Sequence, residues 1–244
     1  MSSHPMLELK LSSLHELPTR VFGALVSRNI PGLSRSLLEL CGRPDGRLGR
    51  LIGHVMSLVH GPITRWTLEQ MDIQPEDRVL DVGCGAGKTL EELALRAPQG
   101  FVVGLDHSET MVRQALARNQ ARVLDGRLTV LVGDVGHMPF PDSCFDKVCA
   151  IETLYFWPSP KVALEEIHRV LAPGGRVAIS LEYTRDGSRP ADLADTLEAE
   201  GVRVYSRSEV MELLEAAGFI ELRCEAQPSR SNGWLYVEGR KPGH

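Results

Sequence analysis

The stretch Asp81-Val82-Gly83-Cys84-Gly85-Ala86-Gly87-Lys88-Thr89 sets an acidic side chain before three glycines at alternate positions and a lysine-threonine pair. Loops of this kind hold nucleoside ligands, and the spacing of their glycines separates the chemistry they serve. A loop that cradles ATP phosphates requires Gly-x-x-x-x-Gly-Lys-[Ser/Thr], which here places its first glycine at Val82. A dinucleotide loop, Gly-x-Gly-x-x-Gly, requires glycine at Lys88 when counted from Gly83, or at Leu90 when counted from Gly85. Both patterns fail. What remains is Asp81 followed by Gly83, Gly85 and Gly87, a turn whose backbone can approach a ligand closely.

The elements that must position this turn are legible from Arg78 onward. Short β-branched runs at Val79 to Val82, Phe101 to Leu105, Leu128 to Val132, Lys147 to Ile151 and Arg176 to Leu181 alternate with helix-period segments, the pattern of strand-helix-strand units. Most of these runs are continuously apolar, as expected of parallel strands covered on both faces. Ser159 and Pro160 begin a helix that Pro173-Gly174-Gly175 is expected to stop. Ser206 and Glu209 form a capping box for another, which Gly218 ends. Phe219 to Glu225 and Trp234 to Gly239 are joined by too short a link for a helical crossover and should pair antiparallel. The fold class expected is α/β: a Rossmann-like, seven-stranded, mostly parallel sheet with an antiparallel C-terminal strand.

Residues 1–75 read instead as a helical cap, with 76–244 as the sheet domain. Helical candidates are Val21 to Arg28, Leu33 to Leu40, Leu48 to Val59 and Ile63 to Met71, and Leu48 to His60 is too apolar to stand alone in water.

Composition narrows the partners. A chain of 244 residues that is 43% hydrophobic and 24% charged can bury a full core. Its formal net charge of -5 offers no basic excess for a phosphate backbone, so nucleic acid is not an expected partner. The five cysteines contain no Cys-x-x-Cys pair, and neither a disulfide framework nor a metal site is indicated. Cys84, Cys144 and Cys149 read as small core or loop residues. No stretch approaches the roughly 20 apolar residues that span a bilayer and no signal core opens the chain, so a cytoplasmic protein with no membrane partner is expected.

The segment "VLDVGCGAGKTLEELA" resembles the first motif of class I S-adenosylmethionine-dependent methyltransferases. "VVGLDHSETMVRQA", "VLVGDVGHMPFPDSCFDKV" and "AIETLYFWPSPKVALEEIHRVLAPGGRVAIS" resemble its later motifs in order, from Arg78 to Leu181. The resemblance implies that S-adenosylmethionine binds at Asp81, Gly83, Gly85 and Gly87, with Asp81 toward the methionine ammonium. It implies that Asp106 accepts the ribose hydroxyls, that Asp134 and the Val135 amide meet the adenine amino edge, and that Ile151 lies beneath the methionine part. His107 and Met111 would flank the adenine face, His107 standing where the family usually has an aliphatic residue.

Methyl transfer from a sulfonium is an in-line displacement whose leaving group departs neutral, so the protein's main task is to align the acceptor and exclude water. A base is needed only where the acceptor loses a proton. Glu152, Tyr155 and His60 are the candidates, with His137 a fourth. Each has an alternative reading: Glu152 can hold cofactor, and Tyr155, Phe156 and Trp157 can simply pack the cap. Family members that methylate nucleic-acid bases carry Asp/Asn-Pro-Pro-aromatic after strand four, where this chain has Ile151-Glu152-Thr153-Leu154. The expected acceptor is a small, partly apolar metabolite in a closed pocket. The alternatives are an S-adenosylmethionine-binding protein that does not transfer methyl, and methylation of a protein side chain.

Overall fold

A computed structural model describes residues 40–186, 197–199, 201–227 and 233–243. The candidate helix at Val21 to Arg28 lies outside these residues, as does all but the end of that at Leu33 to Leu40. Helices α1 (Gly46–Val59) and α2 (Gly61–Gln70) precede β1 (Arg78–Val82). Then follow α3 (Lys88–Arg96), β2 (Phe101–Asp106), α4 (Glu109–Arg118), α5 (Gln120–Leu124) and β3 (Leu128–Val132). After them come β4 (Phe145–Ile151), a short 3-10 turn at Leu154–Phe156, α6 (Pro160–Val170) and β5 (Leu171–Leu181). The chain closes with α7 (Arg207–Ala216), β6 (Ile220–Gln227) and β7 (Trp234–Arg240).

The seven strands lie in the order β3-β2-β1-β4-β5-β7-β6. β1 to β5 run parallel, and β7 lies antiparallel to both β5 and β6. This is the expected architecture, including the C-terminal antiparallel pair. Successive side chains on a strand face opposite sides, and two buried clusters follow. Leu80, Val103, Val148 and Val177 pack with Leu164 of α6 and Leu214 of α7 on one face. Val79, Val102, Cys149 and Ala178 pack with Leu90 of α3, Val112 of α4 and Trp66 of α2 on the other.

One local expectation is corrected, and α1 packs through its glycines. Pro173-Gly174-Gly175 does not separate helix from strand: α6 ends at Val170, and β5 begins at once at Leu171. The pairing register with β4 jumps from Phe145↔Leu171 to Lys147↔Arg176, so the Pro-Gly-Gly run is bulged out of the strand. In α1 the leucines do not face the sheet domain. Leu48, Leu51 and Leu58 are exposed, and the buried residues are Gly49 and Gly53. A β-carbon on Gly53 would stand 2.6 Å from Sδ of Met111. The helix comes close to α4 because it offers glycines there.

Polar contacts fix the same joint. Ser108 donates its hydroxyl to the Pro44 carbonyl, and Thr110 donates to Oδ1 of Asp45, the residue that also caps α1 by accepting from the Gly46 amide. On the other side Thr67 of α2 donates to Oγ of Ser180 at 2.7 Å. Trp66 packs edge-on against Tyr236 and tilted against Trp234. The residues expected to form a helical cap against the sheet domain bury Ile63, Trp66, Leu68 and Met71 in a cluster shared with the sheet. Among the described residues no helix is long and apolar enough to cross a membrane.

Candidate active site

β1 has β2 on one side and β4 on the other, so the chain leaves its neighbouring strands in opposite directions and a crevice opens beyond their carboxyl ends. That crevice is a cavity of about 790 Å³, within the usual range for a small-molecule site. Its floor is the turn after β1. Gly83, Gly85 and Gly87 all have positive φ, between 51° and 77°. A β-carbon on Gly83 would stand 2.4 Å from Cγ2 of Thr153, so this glycine lets the turn lie against the start of the β4 loop. A β-carbon on Gly85 would meet nothing within 4 Å, because that side of the backbone faces the cavity. Gly87 has a different job. It caps α3 in the left-handed conformation, presses on Ala115, and its carbonyl accepts from Nδ2 of Asn119.

Asp81 is buried at 2% exposure. Its Oδ1 receives the Cys149 thiol at 3.4 Å, while Oδ2 is shut off from solvent with no partner. Burial, with Asp106 nearby, raises its carboxyl to about 7. Asp106 ends β2 and accepts the Gly85 amide on Oδ2 and the Ser108 amide on Oδ1, both at 2.9 Å. Burial raises its carboxyl too, against the pull of these two amides.

The cavity lining takes in Asp81, Gly83, Gly85, Asp106, His107, Met111, Asp134, Val135 and Ile151 from the expected cofactor set, with His60 and Glu152 from the expected catalytic set. Asp134 holds its own turn by accepting the Gly136 amide at 2.7 Å. Three expected residues lie elsewhere. Gly87 lies behind the turn. His137 is exposed and does not line the cavity. The Tyr155 hydroxyl donates to the Tyr183 carbonyl at 3.0 Å and accepts the Tyr183 amide at 2.9 Å, joining the loops after β4 and β5. Tyr155 does not line the cavity, but its hydroxyl also lies against the Glu152 carboxyl.

The polar end of the cavity is formed where α1 and α2 meet. His60 ends one helix and begins the next, and both its ring nitrogens are buried without a partner. Burial holds its pKa down at about 4, so the ring is neutral at physiological pH. Glu152 is held at φ 61°, a backbone conformation that a non-glycine residue keeps only where its surroundings impose it. Its Oε1 accepts the Glu182 amide, and burial together with the Glu182 carboxyl raises its pKa well above the usual carboxylate range. Glu182 was not expected. It directly follows the apolar run of β5, and only the sheet order reveals that this places it beside Glu152. Thr153, Ser57 and Thr64 line the cavity itself without having been singled out, since nothing in their spacing marks them.

The fold and this crevice define an α/β protein with a cavity of small-molecule size beyond the carboxyl ends of its central parallel strands. A methyltransferase domain family matches residues 80–179. The uncharacterized methyltransferase YdaC of Bacillus subtilis is 26% identical over 79% of this chain and 98% of its own. Methyltransferase GfsG of Streptomyces halstedii is 32% identical over 70% of this chain, which spans only 63% of GfsG. A chain from the complex between the Haloferax volcanii Trm112 methyltransferase activator and a methyltransferase superposes with a TM-score of 0.68. It is 26% identical, over 78% of this chain and 93% of that one. The protein belongs to the class I S-adenosylmethionine-dependent methyltransferases.

The residues present fit that cofactor. Oδ2 of Asp81 is a buried acceptor without a donor, suited to an ammonium group, and the open side of Gly85 is a cradle that any side chain would fill.

Proposed function

We propose that this protein transfers the methyl group of S-adenosylmethionine to a small, partly apolar metabolite held between the turn after β1 and the α1–α2 junction. The observation that carries the acceptor class is the cavity itself: one 790 Å³ space is bounded by the glycine turn on one side and by Met56, His60 and Thr64 on the other. A macromolecular acceptor would need an open groove in place of these helices.

The cofactor supplies an electrophilic methyl carbon on a sulfonium whose departure needs no acid. Asp81 holds the ammonium end, and Asp106 orients the ribose while fixing the Gly85 amide. Asp134 and Val135 meet the adenine edge, and Met111, pressed by Gly53 of α1, walls its face together with His107. Ile151 underlies the methionine part, leaving His60 and Glu152 as the polar groups that face the acceptor. They position it for attack on the methyl carbon, and an acceptor that carries a proton there has to lose it for transfer. Most of the rate gain in this reading comes from alignment and exclusion of water.

The test is incubation of the protein with labelled S-adenosylmethionine and a fractionated metabolite extract. The expected result is release of S-adenosylhomocysteine with label in a small-molecule fraction. Tight cofactor binding with no turnover on any fraction favours a non-transferring role, and label recovered in protein overturns the small-molecule acceptor.

A further inference from the structure

His60, Glu152 and Glu182 come from the α1–α2 junction, the end of β4 and the end of β5, yet one donor atom from each lies within 4.8 Å of the other two. Nδ1 of His60 stands 3.8 Å from Oε2 of Glu152 and 3.8 Å from Oε2 of Glu182. These separations exceed the 2.7–3.2 Å of an N–H···O hydrogen bond, so the ring bonds to neither carboxyl. A buried imidazole with neither nitrogen satisfied is uncommon in a folded protein, and it faces two carboxyl groups that are themselves 8% and 5% exposed. A single species accepting a lone pair from all three resolves the arrangement.

We propose that His60 Nδ1, Glu152 Oε2 and Glu182 Oε2 bind one divalent first-row metal ion in the wall of the cavity. A four-coordinate ion with bonds of about 2.1 Å holds its donors roughly 3.4 Å apart, an inward movement from 3.8 Å for the two His60 pairs and from no more than 4.8 Å for the pair of carboxyls. One imidazole with two carboxylates suits Zn²⁺, Mn²⁺ or Fe²⁺; Mg²⁺ and Ca²⁺ prefer oxygen donors alone. Three protein donors leave a position for a further ligand, and because His60 and Glu152 line the cavity, that ligand is the small molecule bound there.

The consequence for chemistry rests on the reading of this cavity as the acceptor site. An acceptor bound through a hydroxyl or enol oxygen has its pKa lowered by the ion. Its O–H proton passes to water, and the oxygen lone pair forms the bond to the methyl carbon. The carbon–sulfur bonding pair stays on sulfur, which leaves neutral. The acceptor class is therefore an oxygen nucleophile, and His60 and Glu152 act as ligands rather than as the base.

The full-length protein, stripped with chelator, is dialysed to equilibrium against Zn²⁺, Mn²⁺ or Mg²⁺ in separate arms, and Co²⁺ is titrated in while visible absorption is recorded. One Zn²⁺ or Mn²⁺ per chain and much weaker Mg²⁺ binding are expected. Co²⁺ should give d–d bands of a low-coordinate nitrogen and oxygen site that disappear when Zn²⁺ is added. Glu182→Gln and His60→Ala should each lower metal affinity by at least about a hundredfold, since even outer-shell partners cost ten- to a hundredfold. Cofactor affinity of Glu182→Gln, measured by calorimetry, reports whether that variant is folded. Absence of stoichiometric Zn²⁺ or Mn²⁺ in the wild type, or binding that survives both substitutions, overturns the site. Should a variant not fold, the Co²⁺ spectrum of the wild type decides alone, its absence counting against the site. Cofactor binding and turnover are followed on the same preparation: turnover without metal overturns this inference only, and metal without cofactor binding overturns the proposed function only.

Discussion

Gly85 donates its backbone N–H to Oδ2 of Asp106 at 2.9 Å, so the turn after β1 and the end of β2 are held as one unit. Asp106→Ala removes an acceptor of ribose hydroxyls and also frees the turn. Cofactor affinity is expected to fall by about 1–3 kcal/mol, the scale for losing hydrogen bonds to a charged group. Calorimetric titration checks this, and an unchanged affinity removes Asp106 from the site.

The glycines of the turn should behave differently from one another. At Gly83 an added β-carbon collides with Thr153, whereas at Gly85 it enters open cavity. Gly83→Ala is expected to lower thermal stability clearly. Gly85→Ala should carry only the left-handed backbone cost of about 1–2 kcal/mol, while blocking the cofactor. Thr153→Ser removes the offending methyl and should restore part of the loss in Gly83→Ala, an interaction that a double-mutant cycle measures. Equal destabilisation by the two alanine substitutions with no rescue would count against this packing.

Asp81 gives a pH signature. Its carboxyl is raised to about 7 in the folded protein, against about 3.9 in an unfolded chain. The folded state holds this proton more tightly, so the contribution to stability is fully present below about pH 4 and is lost as pH rises through 7. An ammonium at Oδ2 prefers the ionised carboxyl. Cofactor affinity should therefore increase with pH, by up to about tenfold per unit, and level off above about pH 7. Asp81→Asn should abolish the slope. Titrations in buffers of different ionisation enthalpy would also show proton release on binding, and affinity that falls with pH would separate Asp81 from the ammonium.

Tyr155→Phe should act on the fold. It leaves the Tyr183 amide and carbonyl without the hydroxyl they share, at a cost of about 1–3 kcal/mol. Thermal unfolding is expected to shift down while cofactor affinity stays close to that of the wild type. A loss of turnover per folded molecule, with an unmoved melting temperature, would return Tyr155 to the chemistry.

The turn and the strand ends were legible because their information is local. Asp81, its glycines and Asp106 adjoin apolar runs whose length and flanks mark them as strands, although Asp106 meets the Gly85 amide 21 residues back and Asp81 meets the Cys149 thiol 68 residues on. The polar end of the cavity was only half legible. His60 and Glu152 could be named as titratable groups near the right elements, but Glu182 became their neighbour through the β4–β5 pairing, 30 residues on. The aromatic run after β4 divides: Phe156 and Trp157 line the cavity, whereas the Tyr155 hydroxyl lies between two backbone groups of another loop. In α1 the inward face was not legible from hydrophobicity, because closeness of approach to Met111 decided it and glycines allow the closest approach.

The strand order carries one further consequence. Because β1 is flanked by β2 and β4, the chain segments from Val82 to Val135 build one bank of the crevice and those around His60, Glu152 and Val202 build the other. The two banks meet at Gly83 against Thr153 and where α1 packs on α4 through Gly53 and Met111. Loops on the second bank can be lengthened, shortened or recoloured without disturbing the turn that grips the nucleoside, so a change of acceptor here is a problem of loop replacement and leaves the sheet untouched.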